Sequence, residues 1–348
     1  MKIMFVSGRE ISYSRNTLML HLLEKLGHEV DIATFGGETN SIVFRTAISF
    51  IKAAKKSLVR KDNSIIVCGF YGHMLVILLK LTLKKTIIFD AFVSTFDTLC
   101  NDRNLCQKIP TIAALSKWID QLSCSLANEI IVDTVAQKKF FISELGANPD
   151  KIHVIYAGCN ENIFYPYDDE EEEDFVLFYS SFLPLHGLPV VMAAAEYLQQ
   201  VKFRIIGPLK KLKNFSQIPP NVEIFDVVRL QDLPRHIAKA KLCLGGHFGG
   251  GEKAKRVIAS KTFECMSMAK PVIVGINEAN SELFTHGIDS WFCEMNNPIE
   301  LAKAISYLMS NDPLRRFIAS NARKTFIEKA SSSVLARELH KAISRYTG

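Results

Sequence analysis

The chain has 348 residues, of which 48% are hydrophobic and 22% are charged. This composition excludes a disordered or fibrous protein, and the length exceeds what a single hydrophobic core usually serves, so two domains are expected. The formal net charge of +6 favours phosphate-bearing ligands or an anionic membrane surface, and it is too small to indicate a nucleic-acid partner.

Strand and helix patterns alternate through the first half of the chain. The predicted strands are KIMFVS, EVDIATF, SIIVCGF, TIIFDAF, NEIIVDT and KIHVIYAGCN. Helical patterns lie between them, near residues 15–26, 44–60, 73–82, 110–127 and 135–145. This alternation is typical of a parallel sheet that carries helices on both faces.

The second half repeats this architecture. Its predicted strands are FVLFYSS, VKFRIIG, NVEIFDVV, KLCLGGHF, PVIVG and WFCEM, and its predicted helices lie near residues 188–198, 231–239, 261–268, 279–286 and 297–310. The fold class is therefore α/β, with two Rossmann-like domains. Ligands of open parallel sheets bind beyond the carboxyl ends of the strands, so we expect the site in a cleft across which the two sheets face each other.

Seven consecutive acidic residues, 168–174, separate the two halves. Like charges repel one another and remain solvated, so this run predicts a linker at residues 166–174, with a functional acidic segment as the alternative. The N-terminal domain then covers residues 1–165 and the C-terminal domain covers residues 175–329.

Cysteine usage and the apolar segments indicate a cytoplasmic protein. The eight cysteines are scattered and include no Cys-x-x-Cys pair, so we expect neither a zinc site nor a disulfide framework. The first ten residues, MKIMFVSGRE, are typical of a strand and not of a signal peptide. The apolar run at residues 65–79 is shorter than the roughly 20 residues that span a bilayer, and Gly69, Gly72 and His73 interrupt it.

The segment RVIASKTFECMSMAKPVIVG, at residues 256–275, contains a single acidic residue, Glu264. Ser260 is predicted to cap this helix and Lys261 lies in the first turn, so the helix N-terminus favours an anion. Glu264 lies one turn further on, where a carboxylate can accept hydrogen bonds from ribose hydroxyls. The alternative is a surface ion pair between Lys261 and Glu264. The first strand is not followed by Gly-x-Gly-x-x-Gly, which argues against an NAD enzyme.

Three segments of the chain resemble glycosyltransferase family 4. They are KTFECMSMAKPVIVG with the following NEANSELFTHGIDSWFCEMNNPIELAKAISYL, DTVAQKKFFISELGANPDKIHVIYAGCNENIFYP, and FYSSFLPLHGLPVVMAAAEYL. The resemblance extends over nearly the whole length. It implies the GT-B fold and a retaining, metal-independent transfer of a hexose from a nucleotide-sugar. It also implies that the helices after Asp312, including one at about 330–348, pack back on the first domain.

The resemblance assigns a role to Glu264, which matches the family residue that holds the nucleotide ribose. A second family Glu would fall eight residues earlier, where this chain has Arg256. Arg256 is therefore a candidate for binding phosphate or an acidic sugar. The local cations that could neutralise a diphosphate are Lys253, Lys255, Arg256 and Lys261.

A second departure from the family lies at the start of the C-terminal domain. Ser180-Ser181 and His186-Gly187 occupy the places of the common Gly-Arg and Lys-Gly pairs. His186 thus occupies the place of a phosphate-contacting Lys, and it can donate to a phosphate or to the sugar. The predicted donor-binding residues are Ser181, Gly187, Gly207, Lys253, Ser260, Lys261, Thr262 and Glu264.

The loops after the strands of the N-terminal domain are expected to form the acceptor side. The candidate residues there are Arg9, Tyr13, Arg15, Tyr71, His73 and Ser94. Asp97 is a candidate for contact with acceptor hydroxyls, and a structural brace is the alternative. The predicted catalytic residues are Asp97, His186, Arg256 and Lys261, and no metal ligand is predicted.

A basic helical segment, ISFIKAAKKSLVRK at residues 48–61, carries its lysines and arginine mostly opposite its apolar residues. Such a helix can lie on an anionic membrane, as in family members with lipid-linked acceptors. The alternative is a helix that covers the sheet and presents a solvated basic face.

The expected function is transfer of a sugar to a hydroxyl of a glycan, a lipid-linked saccharide or a small metabolite, as in polysaccharide biosynthesis. A UDP- or GDP-sugar is the expected co-substrate, without a cofactor, in the cytoplasm or at the inner membrane face. Two alternatives remain open at this point. One is a catalytically silent GT-B protein that binds a nucleotide-sugar or glycan, and the other is a nucleotide-sugar epimerase of the same fold.

Overall fold

A computed structural model describes residues 1–37, 39, 41–59, 65–103, 105–167, 170–214 and 217–346. The chain divides into two compact units. The first contains Met1–Tyr156 and Ser332–Gly348, and the second contains Ala157–Ser331.

Each unit is built on one parallel sheet. In the first unit the strands are β1 (Lys2–Val6), β2 (Glu29–Ile32), β3 (Ile65–Cys68), β4 (Thr86–Asp90), β5 (Glu129–Val132) and β6 (Ile152–Val154), in the order β2-β1-β3-β4-β5-β6. In the second they are β7 (Glu173–Tyr179), β8 (Lys202–Ile206), β9 (Val222–Phe225), β10 (Ala240–Leu244), β11 (Val272–Gly275) and β12 (Trp291–Cys293), in the order β12-β11-β10-β7-β8-β9. The twelve predicted strands are all present, and the α/β prediction is confirmed.

Helices connect the parallel strands. Those before residue 157 are α1 (Ser14–Lys25), α2 (Ile42–Val59), α3 (His73–Thr82), α4 (Leu105–Lys108), α5 (Pro110–Leu126) and α6 (Val135–Leu145). Those after it are α7 (Leu188–Tyr197), α8 (Leu233–Lys239), α9 (Ser260–Ser267), α10 (Glu278–Leu283), α11 (Pro298–Met309), α12 (Asp312–Lys329) and α13 (Ser332–Ile343). Among the described residues, none of these helices has the length and apolar character needed to cross a membrane.

The helices of the first unit cover both faces of its sheet. Buried residues of α2, α3, α5 and α6 form one core with β1, β3, β4 and β5. Residues of α1 and α13 form the other core on the opposite face. Strands β1, β3, β4 and β5 are buried on both faces, so their sequences are almost uninterrupted apolar runs. Such runs are easily recognised as strands in the sequence.

The structure differs from the predicted domain boundaries in two places. The units divide between Tyr156 and Ala157, and the described part of the acidic run belongs to the second unit. Its carboxylates are paired there, since Glu172 contacts Lys270 and Asp174 contacts Lys241. Asp168 and Asp169 lie outside the described residues.

The second difference concerns α12 alone. Helix α13 belongs to the first unit, as expected for a helix at about 330–348, whereas α12 remains in the second. Arg323 of α12 donates to the carbonyl of Ser267 at the end of α9, at 2.6 Å. This contact and the burial of Ile318 and Phe326 keep α12 in the second unit.

One disulfide corrects the expectation of fully reduced cysteines. Cys100 and Cys106 are bonded to each other, with their Cα atoms 4.9 Å apart. The π-helical segment Asp97–Asp102 and the short α4 fold the chain back and bring the two residues together. The other six cysteines are buried free thiols.

Arg15 is a buried structural residue, which corrects its assignment to an acceptor surface. Its guanidinium donates to both carboxylate oxygens of Asp90 at the end of β4 and to the carbonyls of Ile155 and Tyr156. The side chains of Arg15 and Asp90 are 1% and 0% exposed. The pair therefore fastens α1 to β4 and to the last residues before the second unit.

We expect Arg15→Met to lower the free energy of unfolding by about 3–5 kcal/mol, because it leaves the Asp90 carboxylate buried without its counter-charge. Urea unfolding followed by circular dichroism measures the change. Lys2→Met is the control, since it breaks an ion pair whose partner, Glu29, is 70% exposed, and such a pair contributes roughly 0–1 kcal/mol. Equal losses in the two variants would contradict the structural role of Arg15.

Candidate functional site

Glu264 lies at the carboxyl edge of the second sheet and is held by Tyr179. Tyr179 is the last residue of β7, and its hydroxyl donates to Oε2 of Glu264 at 2.6 Å. The other carboxylate oxygen, Oε1, accepts no hydrogen bond from a residue that the structure describes. Burial raises the pKa of Glu264, and the Tyr179 hydrogen bond and Lys261 oppose this shift. One oxygen is thus fixed and the other is available to an incoming donor.

Lys261 is buried beside this carboxylate. Its Nζ donates to the carbonyl of Tyr179 at 3.2 Å and lies 4.3 Å from the centre of the Phe178 ring. Burial lowers the pKa of Lys261 to about 7, against smaller opposing effects of Cys265 and Glu264. The full positive charge expected from the sequence is therefore only partly present at neutral pH, and an anion beside Nζ would restore it.

Two histidines stack next to Lys261. The rings of His186 and His247 are 5.5 Å apart and nearly parallel, with an interplanar angle of 7°. Nδ1 of His186 is hydrogen-bonded to the hydroxyl of Ser180, and Nδ1 of His247 lies 3.3 Å from the carbonyl of Val257. Burial and the nearby lysines lower the pKa of His186. Burial is also the main cause that lowers the pKa of His247 to about 3, and the charge of Lys261 contributes to this shift. Both rings are neutral at pH 7 and act as hydrogen-bonding groups.

Two glycines let the backbone approach closely around these histidines. Gly187 and Gly246 adopt φ angles of +72° and +64°, in the left-handed region that favours glycine. A Cβ atom at Gly187 would lie 2.6 Å from the backbone of Phe248 and Gly249. The loop after β10 and the turn before α7 are therefore in direct backbone contact.

The N-terminus of α9 differs from the prediction by one residue. Ala259, with extended φ and ψ of −68° and 134°, is the N-cap, so Ser260 is the first helical residue and not the cap. No side chain caps this end. The N–H of Thr262 donates to the carbonyl of Ala259 at 2.9 Å, so the N–H groups of Ser260 and Lys261 are those of the first turn that an anion can use.

The remaining predicted donor residues are spread around this edge. Arg256 is half-buried and follows the 3-10 turn at Glu252–Lys255, in which Lys253 is buried. Lys253 lies close enough to both histidines to lower their pKa values. Ser181 is exposed, and its carbonyl accepts from Nζ of Lys211 at 2.8 Å.

Thr262 and Gly207 are packed inside this edge of the sheet and have structural roles. Thr262 is fully buried, and its hydroxyl donates to the carbonyl of Gly245 at 3.4 Å. Gly207 packs against Ser180 and Phe182, where a Cβ atom would lie 2.3 Å from the Ser180 carbonyl. Both residues shape the site, and neither presents a side chain to a ligand.

In the first unit, an aromatic cluster lies at the carboxyl edge of the sheet. Tyr13 stacks on Phe70 with ring centres 4.2 Å apart, and Tyr71 packs edge-on against Phe70. The guanidinium of Arg9 lies 5.7 Å from the Tyr13 ring centre. Tyr71 has a φ of +58°, an uncommon conformation for tyrosine. The cluster brings Arg9, Tyr13 and Tyr71 of the predicted acceptor residues together.

The other predicted residues of this unit surround a buried carboxylate, Asp120 of α5. Asp120 accepts from the hydroxyl of Ser94 at 2.5 Å and lies 3.2 Å from Nε2 of His73. Asp97 is also fully buried. Its carboxylate accepts from the side-chain amide of Asn101, and its backbone N–H donates to the hydroxyl of Ser94. His73, Ser94 and Asp97 therefore brace the loop after β4 in this structure and do not line an acceptor surface.

Sequence reasoning assigned no role to Tyr179, Phe70 or Asp120. Tyr179 is the last residue of β7, and Phe70 lies two residues after the end of β3. Several polar and aromatic residues follow one another in both places, so the sequence pattern does not show which side chain faces the site. Asp120 did carry a signal, because it is the only acidic residue of α5. A lone acid in an otherwise amphipathic helix indicates a buried, hydrogen-bonded carboxylate.

Part of the chain is similar in sequence to glycosyltransferases. Residues 190–341 match the model of a family described as Glycosyl transferase-like. An uncharacterized glycosyltransferase of Methanocaldococcus jannaschii is 25% identical over 201 residues, which are 57% of this chain and 55% of the relative. The match thus spans about half the length of that relative.

Solved structures decide the fold. Sucrose-phosphate synthase from Thermosynechococcus elongatus matches with a TM-score of 0.83 at 13% identity, over 99% of both chains. HepE from Anabaena, solved in complex with UDP and glucose, matches with a TM-score of 0.72 at 16% identity, over 99% of this chain and 100% of that one. The fold is GT-B. Two parallel six-stranded sheets with flanking helices are the architecture that these proteins share with this chain.

Proposed function

We propose that this GT-B protein is a retaining glycosyltransferase that moves a hexose from a nucleotide-sugar to an acceptor hydroxyl. The observation that carries the proposal is the pairing of Tyr179 with Glu264 beside Lys261 and the uncapped start of α9. The arrangement combines a carboxylate whose second oxygen can accept from a ribose hydroxyl with donors and a cation suited to a diphosphate.

The donor is proposed to bind along α9. Its ribose would donate to Oε1 of Glu264, and its diphosphate would accept from the first-turn N–H groups and from Lys261. The diphosphate charge would raise the pKa of Lys261 above its value of about 7 and complete the protonation of this lysine. A UDP-sugar is the first choice because HepE, of the same fold, was solved with UDP and with UDP-glucose.

During the transfer, the site must stabilise the leaving nucleoside diphosphate as the sugar carbon gains positive charge. Fixed dipoles and cations directed at the phosphates provide this stabilisation without a bound metal. Lys261 and the α9 N-terminus are proposed to provide it, and Lys253 and Arg256 are the further cations proposed to act there. His186, neutral and hydrogen-bonded to Ser180, is proposed to donate from Nε2 to the phosphate or the sugar.

The acceptor is proposed to bind to the first unit, on the cluster of Tyr13, Phe70 and Tyr71. Aromatic rings present flat apolar faces on which a sugar ring can pack, and Arg9 beside them supplies hydrogen-bond donors. A glycan, a lipid-linked saccharide or a small metabolite with a sugar-like hydroxyl fits this description.

A binding protein without transferase activity is the second candidate. It is favoured by the neutral state of His186, which occupies the place of the phosphate-contacting lysine of the family that the chain resembles. Such a protein would hold the nucleotide-sugar through Glu264 and Lys261 and would lack part of the charge that stabilises the leaving group.

A panel of UDP-, GDP- and dTDP-sugars distinguishes these functions. We expect one donor to be consumed, with transfer to an added acceptor or slow hydrolysis, and with the anomeric configuration retained when the product is followed by proton NMR. We expect EDTA to leave the rate unchanged. Calorimetric binding without turnover would favour the binding protein, and absence of both binding and turnover across the panel would overturn the proposed function.

A further inference from the structure

The outer surface of three helices in the first unit is unusually apolar. Helices α2, α3 and α5 pack side by side on one face of the sheet, and together they are called the α2–α3–α5 surface below. Large apolar side chains on this surface are exposed to solvent. They are Ile42, Val43, Phe44, Ile51, Leu58, Val59, Met74, Leu81, Leu115 and Trp118.

Helix α2 exposes most of its large apolar side chains to solvent. Its buried residues are mostly small or polar: Arg45, Thr46, Ser49, Ala53 and Ser57. Phe44, Ile51 and Leu58 are spaced by seven residues, about two helical turns, and they face outward with exposures of 50%, 57% and 75%. The helix packs on the sheet through Ala53 and Phe50, as in the alternative of a covering helix. Its exposed face carries these large apolar side chains as well as lysines.

The charges of the α2–α3–α5 surface are of one sign. Helices α2 and α3 contain no acidic residue, and the single acid of α5, Asp120, is 0% exposed. Four lysines on these helices and their connecting loops are exposed, and none forms an ion pair within the described part of the chain. They are Lys52, Lys55, Lys84 and Lys108. Arg60, Lys61 and Asp62, which follow α2, lie outside the described residues.

Acidic residues at the border of this surface are already paired. Asp31 forms an ion pair with Lys56, and Glu144 of α6 lies 3.3 Å from Lys117. These carboxylates therefore do not cancel the charge of the exposed lysines. Apolar side chains in the middle and unpaired lysines around them remain as the two features that a partner must match.

We propose that the α2–α3–α5 surface docks the protein on an anionic lipid bilayer. Apolar side chains of α2 and Leu81 would enter the boundary between headgroups and acyl chains, and Trp118 would lie at headgroup level. The lysines would reach the lipid phosphates, each one strengthening the attraction to an anionic surface. The proposal does not depend on transferase activity.

A bilayer fits this surface better than a second copy of the chain does. A symmetric dimer through the same face would place its unpaired lysines against those of the partner, without a carboxylate of the described surface to offset them. An anionic bilayer supplies both the missing negative charge and the apolar phase.

Cosedimentation with vesicles tests the proposal on the full chain. We expect binding to vesicles of phosphatidylcholine and phosphatidylglycerol in equal parts, and at least tenfold weaker binding to vesicles of phosphatidylcholine alone. The affinity should fall as salt is added. In a Trp291→Phe variant, Trp118 is the single tryptophan, and its emission should shift to shorter wavelength when the anionic vesicles are added.

Surface variants locate the contact. We expect the triple variant Phe44→Ser, Ile51→Ser, Leu58→Ser and the double variant Lys52→Glu, Lys55→Glu each to weaken vesicle binding by at least tenfold. The matched controls are Val227→Ser with Leu230→Ser, and Lys324→Glu with Lys329→Glu, which change exposed residues of the second unit. Unchanged circular dichroism spectra and melting temperatures verify that the variants are folded.

Three outcomes would overturn the proposal. The first is equal binding to neutral and anionic vesicles, and the second is equal loss of binding in the surface variants and in the controls. The third is the absence of vesicle binding together with a concentration-dependent dimer, seen in sedimentation equilibrium, that the triple variant no longer forms. That last result would assign the surface to self-association.

Discussion

Lys261→Met is expected to weaken UDP binding by about 10- to 100-fold, because a charge-assisted hydrogen bond to the diphosphate contributes roughly 1.5–3 kcal/mol. Methionine has a similar length and packs against the Phe178 ring, over which Nζ lies at 4.3 Å. The substitution removes a buried amine whose charge is costly in the free protein, so we expect no loss of stability. Isothermal titration calorimetry with UDP measures the affinity.

The same lysine predicts a pH dependence. In the free protein its pKa is about 7, so raising the pH above 7 removes the proton that the diphosphate needs. The dissociation constant for UDP should then rise by up to about tenfold per pH unit, until the pH reaches the higher pKa of Lys261 in the complex. The nearby His186 and His247 remain neutral throughout this range, since their pKa values are lowered. Lys261→Met should abolish the pH dependence.

Lys303→Met is the control for both measurements. Lys303 lies on α11 of the same unit, is exposed, and forms an ion pair with Glu300 at 2.8 Å. We expect its affinity for UDP and its pH profile to remain those of the original protein within about twofold, as for an exposed pair. Wild-type affinity in Lys261→Met would reject the phosphate role of Lys261.

The fold could be predicted because its signals are local. β3 is apolar at every position, since helices cover both faces of the sheet at this strand, and Gly146 ends α6 in the left-handed conformation typical of a helix C-terminus. The division after Tyr156 could not be predicted in this way. It depends on contacts of the residues that follow. Ser267 donates to the carbonyl of Phe164, and the thiol of Cys159 donates to the carbonyl of Phe263, partners that are 103 and 104 positions apart along the chain.

The candidate site was predicted in part. Glu264 and Lys261 lie on one helix, so their proximity follows from helix geometry alone. The contact between Tyr179 and Glu264 joins residues 85 positions apart. It depends on the position of α9 relative to the end of β7, which local sequence patterns do not show. In the first unit, polar residues after strands looked like ligand contacts, but Arg15, Ser94 and Asp97 are buried in networks with Asp90, Asp120 and Asn101. Polarity alone does not distinguish a brace from a binding residue.

Glu264→Gln is expected to weaken UDP binding by about 10- to 100-fold, because a charged acceptor of ribose hydroxyls is replaced by a neutral amide. The affinity for inorganic pyrophosphate, which has no ribose, should change by less than about twofold. This contrast separates a ribose contact from general damage to the site. We expect the hydrogen bond with Tyr179 to persist in this variant, since the amide oxygen can still accept from the Tyr179 hydroxyl.

Glu196→Gln is the control for this substitution, since Glu196 is an exposed carboxylate of α7 in the same unit. We expect it to leave both affinities unchanged, so that a drop in UDP affinity is assigned to the position of the charge and not to the net charge of the protein. Calorimetry with UDP and with pyrophosphate on the three proteins completes the comparison. If Glu264→Gln weakened both ligands to the same extent, the carboxylate would act by positioning Lys261 and the start of α9, and the ribose assignment would be rejected.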